Sequence, residues 1–321
     1  DGTTWTLRST EGPSGRVDHA MTYDRVQGVT ILFGGDDGAF NAQTWAWDGT
    51  TWTLRDNRGP SRRINHGMAF DSARGAVVLF GGDDGDDDGE TWEWDGAAWT
   101  LRASEGPTRR YGHAMAYDLA RGVAVMFGGD DGSRDDETWE WNGETWALRA
   151  RGGPQRRSKH AMAYDGARGV TVLFGGLAQG NRLCGDTWEW DGQVWAWRTD
   201  TGPAAREEHA MAYDSARGMT VLFGGNAGGG ETWEWDGTAW TLRATTGPSA
   251  RARHAMAYDS ARGVTVLFGG DDGDYNRETW EWDGTVWTLR ATTGPSARGA
   301  HALAHDTVRG VTVLYGGYDR F

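Results

Sequence analysis

A seven-bladed β-propeller is the fold the sequence predicts, and three observations predict it. All seven prolines, Pro13, Pro60, Pro107, Pro154, Pro203, Pro248 and Pro295, fall at one phase of a repeat, spaced by 47, 47, 47, 49, 45 and 47 residues. Each repeat carries four short runs of alternating or β-branched and aromatic residues, bounded by Gly, Asp, Ser or Pro. No stretch of useful length has helical periodicity. Four antiparallel strands recurring at this period describe propeller blades.

The elements follow in order along the unit, which reads G-P-x-x-R-x-x-H-A-M-A-Y-D-S-A-R-G-V-T-V-L-F-G-G, a variable loop, then E-T-W-E-W-D-G-x-x-W-T-L-R-A. In the sixth unit the strands are predicted at His254–Tyr258, Val264–Phe268, Thr279–Trp282 and Trp287–Arg290. Asp283-Gly284 between the last two is a tight hairpin signal. The blades divide the chain at 12–58, 59–105, 106–152, 153–201, 202–246 and 247–293, all within one domain. The seventh combines 294–321 with 1–11, where "DGTTWTLR" reads as its fourth strand. Its third strand, the "ETWEW" piece, is missing from both ends. That gap leads us to expect completion by a longer natural chain or by another molecule, including self-assembly through the open blade.

The residues that carry this pattern resemble the kelch-repeat family. They are the Gly-Gly pair closing each second strand (Gly34-Gly35 through Gly316-Gly317), the aromatic of the third strand, the Trp of the fourth and the Pro-x-x-Arg-x-x-His entry. The "TWEWDG" and "HAMAYDSARG" forms look like the kelch arrays of secreted or surface proteins from GC-rich bacteria. The resemblance implies an extracellular or cell-surface setting and ligand binding through the connections on one face. It does not select an activity, since the fold hosts binders and enzymes alike.

Composition narrows the partners. The chain has 32 basic and 46 acidic residues, a net charge of −14, and Lys159 is its only lysine. Such a surface repels nucleic acid and anionic lipid. The single Cys184 rules out an internal disulfide or a cysteine-rich zinc site and, without a local signature, reads as an incidental thiol. No apolar run reaches a membrane-spanning length. The chain starts inside a repeat without an initiator Met, which suggests a processed or excised piece and leaves room for a signal peptide removed from it.

Residues present once per blade are first explained by the shared fold. Twelve of the 20 tryptophans form W-x-W pairs and seven are fourth-strand residues, a distribution that predicts packing between blades. The repeated histidines (His19 to His301) are expected around the channel, as inter-blade partners or a metal ring. The repeated arginines (Arg16 to Arg298) are expected to satisfy loop carbonyls or aspartates.

Function is sought where the copies differ. Variation concentrates in two connections on one face: the pair between Arg and His, and the loop after Gly-Gly. Asp18, Asn65, Tyr111, Lys159, Glu207, Glu208 and Arg253 thus form the candidate ligand site, polar enough for a protein, peptide or glycan. Glu207, Glu208 and Lys159 on neighbouring blades also admit an acid–base pair, and with it a metal-dependent enzyme at the pore mouth. The loop Asp84-Gly85-Asp86-Asp87-Asp88-Gly89 matches the opening of a calcium loop through Asp84, Asp86 and Asp88. Asp95, the twelfth position, lies beyond the third strand on the other face, so a complete EF-hand is excluded.

Overall fold

The structure, a computed structural model, describes residues 2, 4–85 and 89–319. Six four-stranded antiparallel sheets follow one another along the chain, each meandering from first to fourth strand. The seventh sheet has two strands, Ala302–Asp306 and Val311–Tyr315. The seven first strands neighbour each other in cyclic order, and the strand at Ala302–Asp306 returns to that at Ala20–Asp24, so the ring closes. Strand bounds agree with the sequence pattern to within a residue: the sixth blade has Ala255–Asp259, Val264–Phe268, Thr279–Trp282 and Trp287–Ala291. Among the described residues, no helix is long and apolar enough to cross a membrane.

Second strands such as Ala76–Phe80 and Val123–Phe127 are buried along their whole length, between two strands and two neighbouring blades. This explains their unbroken Val, Leu and Phe sequences, since a strand covered on both faces needs no alternation. The clusters are inter-blade: Val125, Phe127 and Leu173 pack with Trp190 and Trp195. Of each W-x-W pair the second ring is buried and the first half-buried, as in Thr91–Trp94.

A polar clamp joins the blades. Glu93 in the third strand of blade 2 accepts from Arg74 Nη1 at 2.5 Å and Arg102 Nε at 2.9 Å, both in its own blade. It also accepts from the indole of Trp141, in blade 3, at 2.8 Å. The arrangement recurs at Glu140, Glu189 and Glu234 with Trp190, Trp235 and Trp282. In parallel, the fourth-strand indoles of blades 2 to 6 donate to the third-strand Thr of the preceding blade, as Trp99 does to Thr44 at 2.6 Å and Trp146 to Thr91 at 2.6 Å. On the same side of the ring, Tyr117 donates to Asp71 of the previous blade at 2.5 Å.

Blade 1 departs from this scheme. Ala46 stands in place of the clamp Glu, Gln27 in place of the loop Arg, and Phe70 of blade 2 in place of the Tyr. Trp94 Nε1 and Asp24 Oδ2 are consequently buried without hydrogen-bond partners.

The N-terminal segment corrects one expectation. Residues 4–9 form no strand, because the third strand they would pair with is not among the described residues. Their position nevertheless matches a fourth strand: the Trp5 indole donates to Thr279 Oγ1 at 2.5 Å and its ring meets Phe268 edge-on at 5.4 Å.

The clamp predicts a non-additive pair. Glu93→Ala leaves Trp141 Nε1 buried and unpaired, while Arg74 and Arg102, with side chains 31% and 45% exposed, turn to water. The cost should then fall near about 2 kcal/mol, below the roughly 3–5 kcal/mol of a fully buried broken pair. Adding Arg74→Gln, which reproduces blade 1, should cost less than the two single changes summed. Urea unfolding of the three variants measures this, and strict additivity would contradict the coupling.

Candidate functional site

The variable connections meet at one mouth of the ring. The residue before each histidine adopts the left-handed conformation in all seven blades: Asp18, Asn65, Lys159, Glu208, Arg253 and Ala300 have φ between 52° and 55°, and Gly112 has φ 64°. Backbone bonds link these residues from blade to blade. Asn65 N donates to Asp18 O at 3.1 Å, Gly112 N to Asn65 O at 3.3 Å and Lys159 N to Gly112 O at 2.9 Å. Arg253 N donates to Glu208 O at 3.4 Å and Ala300 N to Arg253 O at 3.0 Å. One position earlier, Tyr111 and Glu207 bridge to Asp130 and Asn226, tying the entry connection to the loop after Gly-Gly.

Of the residues singled out by sequence, the side chains of five, Asp18, Lys159, Glu207, Glu208 and Arg253, interact. Glu208 is held between Lys159 Nζ at 3.0 Å and Arg253 Nε at 3.2 Å, and accepts from Asn226 Nδ2 at 2.9 Å. Burial and the Asp36 and Glu208 charges raise the pKa of Asp18, partly offset by Arg253 and Lys159. Its field thus includes charges from blades 4, 5 and 6, so the side chains converge on the mouth. Asn65 and Tyr111 lie on blades 2 and 3, outside this cluster, and Tyr111 is exposed.

The acid–base reading of Lys159 with Glu207 and Glu208 meets an electrostatic obstacle. Burial opposes the charge on both Lys159 and Glu208, but their mutual contact wins: the pKa of Lys159 is raised and that of Glu208 lowered. A general acid–base pair is tuned toward neutrality, whereas these two move away from it. Glu207 stands 3.7 Å from Lys159 Nζ, beyond hydrogen-bond reach.

The histidines lie beneath the mouth and do not line it. Each imidazole packs edge-on against the second-strand aromatic of the preceding blade, as His66 does on Phe33 at 5.5 Å. It also covers the first glycine of that blade's Gly-Gly: a Cβ on Gly34 would stand 2.9 Å from His66 Cε1 and 2.6 Å from Arg63 O. Among the described residues neither nitrogen of the seven rings makes a well-formed hydrogen bond; the nearest partners are backbone groups, such as those of Arg16 and Tyr315 for His19 and of Phe127 for His160. Among the described residues no three His, Cys, Asp or Glu are grouped to hold a metal ion. The repeated arginines are buried and structural. Arg63 Nη1 donates to Gly81 O at 2.8 Å and its Nε to Ser61 O at 3.0 Å, a pattern repeated around the ring.

Of the calcium-loop carboxylates, Asp86 and Asp88 lie outside the described residues. Asp84 is buried and accepts from Ser61 Oγ at 2.8 Å. Its counterparts in blades 3 and 6 are likewise turned toward their own entry loops, Asp131 to Thr108 at 3.2 Å and Asp272 to Ser249. Cys184 is buried and directly follows a small three-stranded sheet of Arg157–Ser158, Leu177–Ala178 and Arg182–Leu183, a feature of the longest loop that the sequence pattern did not reveal.

The chain is similar to the solved structure titled "Structure of YjhT", with a TM-score of 0.63 at 14% identity, over 81% of this chain and 92% of that one. The chain is a β-propeller. No protein-family model and no curated protein sequence matches it. The likeness concerns the scaffold alone.

Two predictions follow from the packing around the mouth. Burial, with the nearby arginine as a second cause, pushes His19, His113, His209, His254 and His301 down to about 3, and His66 and His160 well below the usual value. The folded pKa is below the unfolded one, so the unfolded chain gains protons first as pH falls. Stability should therefore drop between about pH 6.5 and 3, by up to about 1.4 kcal/mol per pH unit for each ring. Denaturant unfolding from pH 7.5 to 5 measures the slope; imidazole NMR signals titrating near 6.5 in the folded protein would refute it. Second, Ala300 pays left-handed strain without a side-chain bond, so Ala300→Gly should leave the protein as stable or up to about 1 kcal/mol more stable, whereas Gly112→Ala should destabilise it. Thermal and urea unfolding distinguish the signs.

Proposed function

We propose that the protein is a non-enzymatic recognition module that binds a protein, peptide or glycan through this mouth. The observation that carries the reading is the ring of left-handed residues. Glycine is the unstrained choice there, and blade 3 uses it, yet six blades keep a side chain. Asp18 and Asn65 tolerate the conformation comparatively well, but Lys159, Glu208, Arg253 and Ala300 do not. Strain of order 1–3 kcal/mol per residue, retained at one rim of an otherwise uniform scaffold, is characteristic of functional positions. The neighbouring polar set suits a ligand with both hydrogen-bond donors and acceptors, and the kelch resemblance supports use of the same connections.

Binding to peptide and glycan arrays tests the proposal. The combined Lys159→Ala, Glu208→Ala, Arg253→Ala variant should lose at least tenfold in affinity for each ligand found, about 1.4 kcal/mol or more. A control changing Thr50 and Thr238 to Ala, at the Asp-Gly turns of the opposite face, should bind as the parent does. Equal binding by the mouth variant, with its fold intact by circular dichroism, would remove the site.

A further inference from the structure

A cavity of about 340 Å³, at the lower end of the roughly 300–1,000 Å³ of small-molecule sites, opens beside the turns that follow the first strands. It lies at the end of the channel away from the candidate mouth, because each first strand runs from the mouth-side histidine to these turns. Blades 7, 1, 2 and 3 border it, through His305, Arg25, Phe70, Met68 and Met115 among others. From its lining we infer that this cavity binds a small aromatic carboxylate, with Arg25 taking the carboxylate and the Met68, Phe70 and Met115 side chains taking the ring. The site is separate from the mouth and does not rest on the role proposed there.

The wall is where the repeat departs from its own pattern. His305 stands where every other blade has Tyr or Phe, and Phe70 is the only Phe at that position. Thr22 replaces the Ala of the six other blades, and Arg25 is the only charged residue at a position otherwise held by Ser, Leu, Gly or Thr. These four departures come from three blades and border the same cavity. The change at His305 leaves a polar group unused. In blade 3 the equivalent Tyr117 hydroxyl donates to Asp71 of the preceding blade at 2.5 Å. The shorter His305 stops 3.6 Å from Asp259, with its side chain only 7% exposed. Neither of its ring nitrogens has a hydrogen-bond partner among the described residues. An unpaired polar group in a cavity wall is costly until a ligand supplies its partner. Burial lowers the pKa of His305 against the pull of Asp259, so the ring is neutral at pH 7.

The charge of the lining selects the head group of the ligand. With His305 neutral, Arg25 is the one charged residue of the wall, and it is exposed. Its guanidinium lies over the Phe70 ring, 5.9 Å from the centroid, and pairs with no carboxylate among the described residues. A guanidinium matches one carboxylate through two parallel N–H bonds. A phosphate dianion would bring a second charge that no lining residue balances, in a chain of net charge −14. The rest of the wall selects the body. The Met68 and Met115 thioethers are polarizable and favour the edge of an aromatic ring, and Phe70 adds an aromatic side to the same space. The volume fits a single ring with a short acid arm.

The test uses the 321-residue chain and phenylacetate, with the methionine methyl groups labelled for NMR. Phenylacetate should shift the Met68 and Met115 methyl signals saturably and leave that of Met211, on blade 5, in place. Phenylacetamide keeps the ring and loses the charge, while glucuronate keeps the carboxylate and loses the ring. Each should bind at least about tenfold more weakly than phenylacetate. Arg25→Ser, which installs the residue of blades 2, 5 and 6, should make the acid and the amide bind alike. His305→Tyr restores the repeat and offers Asp259 the hydroxyl that Tyr117 gives Asp71. It should weaken phenylacetate binding at least about tenfold while the melting temperature holds or rises. The combined Lys159→Ala, Glu208→Ala, Arg253→Ala variant should bind phenylacetate as the parent does, which separates this site from the mouth. No Met68 or Met115 shift at about 10 mM phenylacetate would overturn the inference. So would equal affinity of the parent chain for the acid and the amide, or for phenylacetate and glucuronate. These readings use the unaltered chain, so they stand even if a variant unfolds.

Discussion

The third-strand glutamate fixes the register at which most neighbouring blades meet. A propeller blade is held within itself by strand pairing, but its neighbours must be held at a fixed angle by side chains. The carboxylate of Glu93 meets this need by accepting from two arginines of its own blade and from an indole of the next. Its two oxygens have enough lone pairs for three donors, and the pairing of charges offsets the cost of burying it. The large apolar faces of the second Trp and the second-strand Phe then pack where the clamp has placed them. Direction matters too: every clamp indole reaches back to the preceding blade, so the same contact, repeated, turns in one sense until the ring closes.

Most of the fold was legible because it is repeated. Seven copies of one pattern allow each strand to be located by comparison within the chain, and the proline phase sets the blade boundaries. What the pattern did not disclose is the partner of each residue. The repeated histidines belong to the first strands' entry, yet each is buried over the Gly-Gly of the neighbouring blade, unpaired and neutral. That outcome depends on how closely adjacent backbones approach, which sequence spacing does not encode. The fourth-strand reading of the N-terminal residues was right about Trp5 and wrong about the ladder, because a side chain can find its place by packing while a strand requires a paired neighbour.

The candidate site was legible in its variability and not in its geometry. Sequence comparison among blades selected Asp18, Asn65, Lys159, Glu208 and Arg253 together with Tyr111 and Glu207, and gave all seven equal weight. The structure separates them by conformation: five share the left-handed position at the rim, and two are bridge residues one step earlier. The signal that distinguished them in the sequence was the invariant histidine that follows, since the residue preceding it must turn the chain into the first strand. Gly112 at this position in blade 3 is the one residue type there that takes a left-handed backbone without strain, a signal the sequence reading did not use.

Blades 1 and 7 are informative as opposites. Blade 1 lost the clamp carboxylate and its loop arginine together, and the interface survived with an unpaired indole, Trp94. Packing of Trp94 and Trp99 with Phe33 and Leu79 is therefore enough to keep two blades together. The clamp adds rigidity and register to contacts that already hold. Blade 7 has the converse composition, with arginines and indoles in place around an open cleft and the apolar strand Val311–Tyr315 half-exposed beside them.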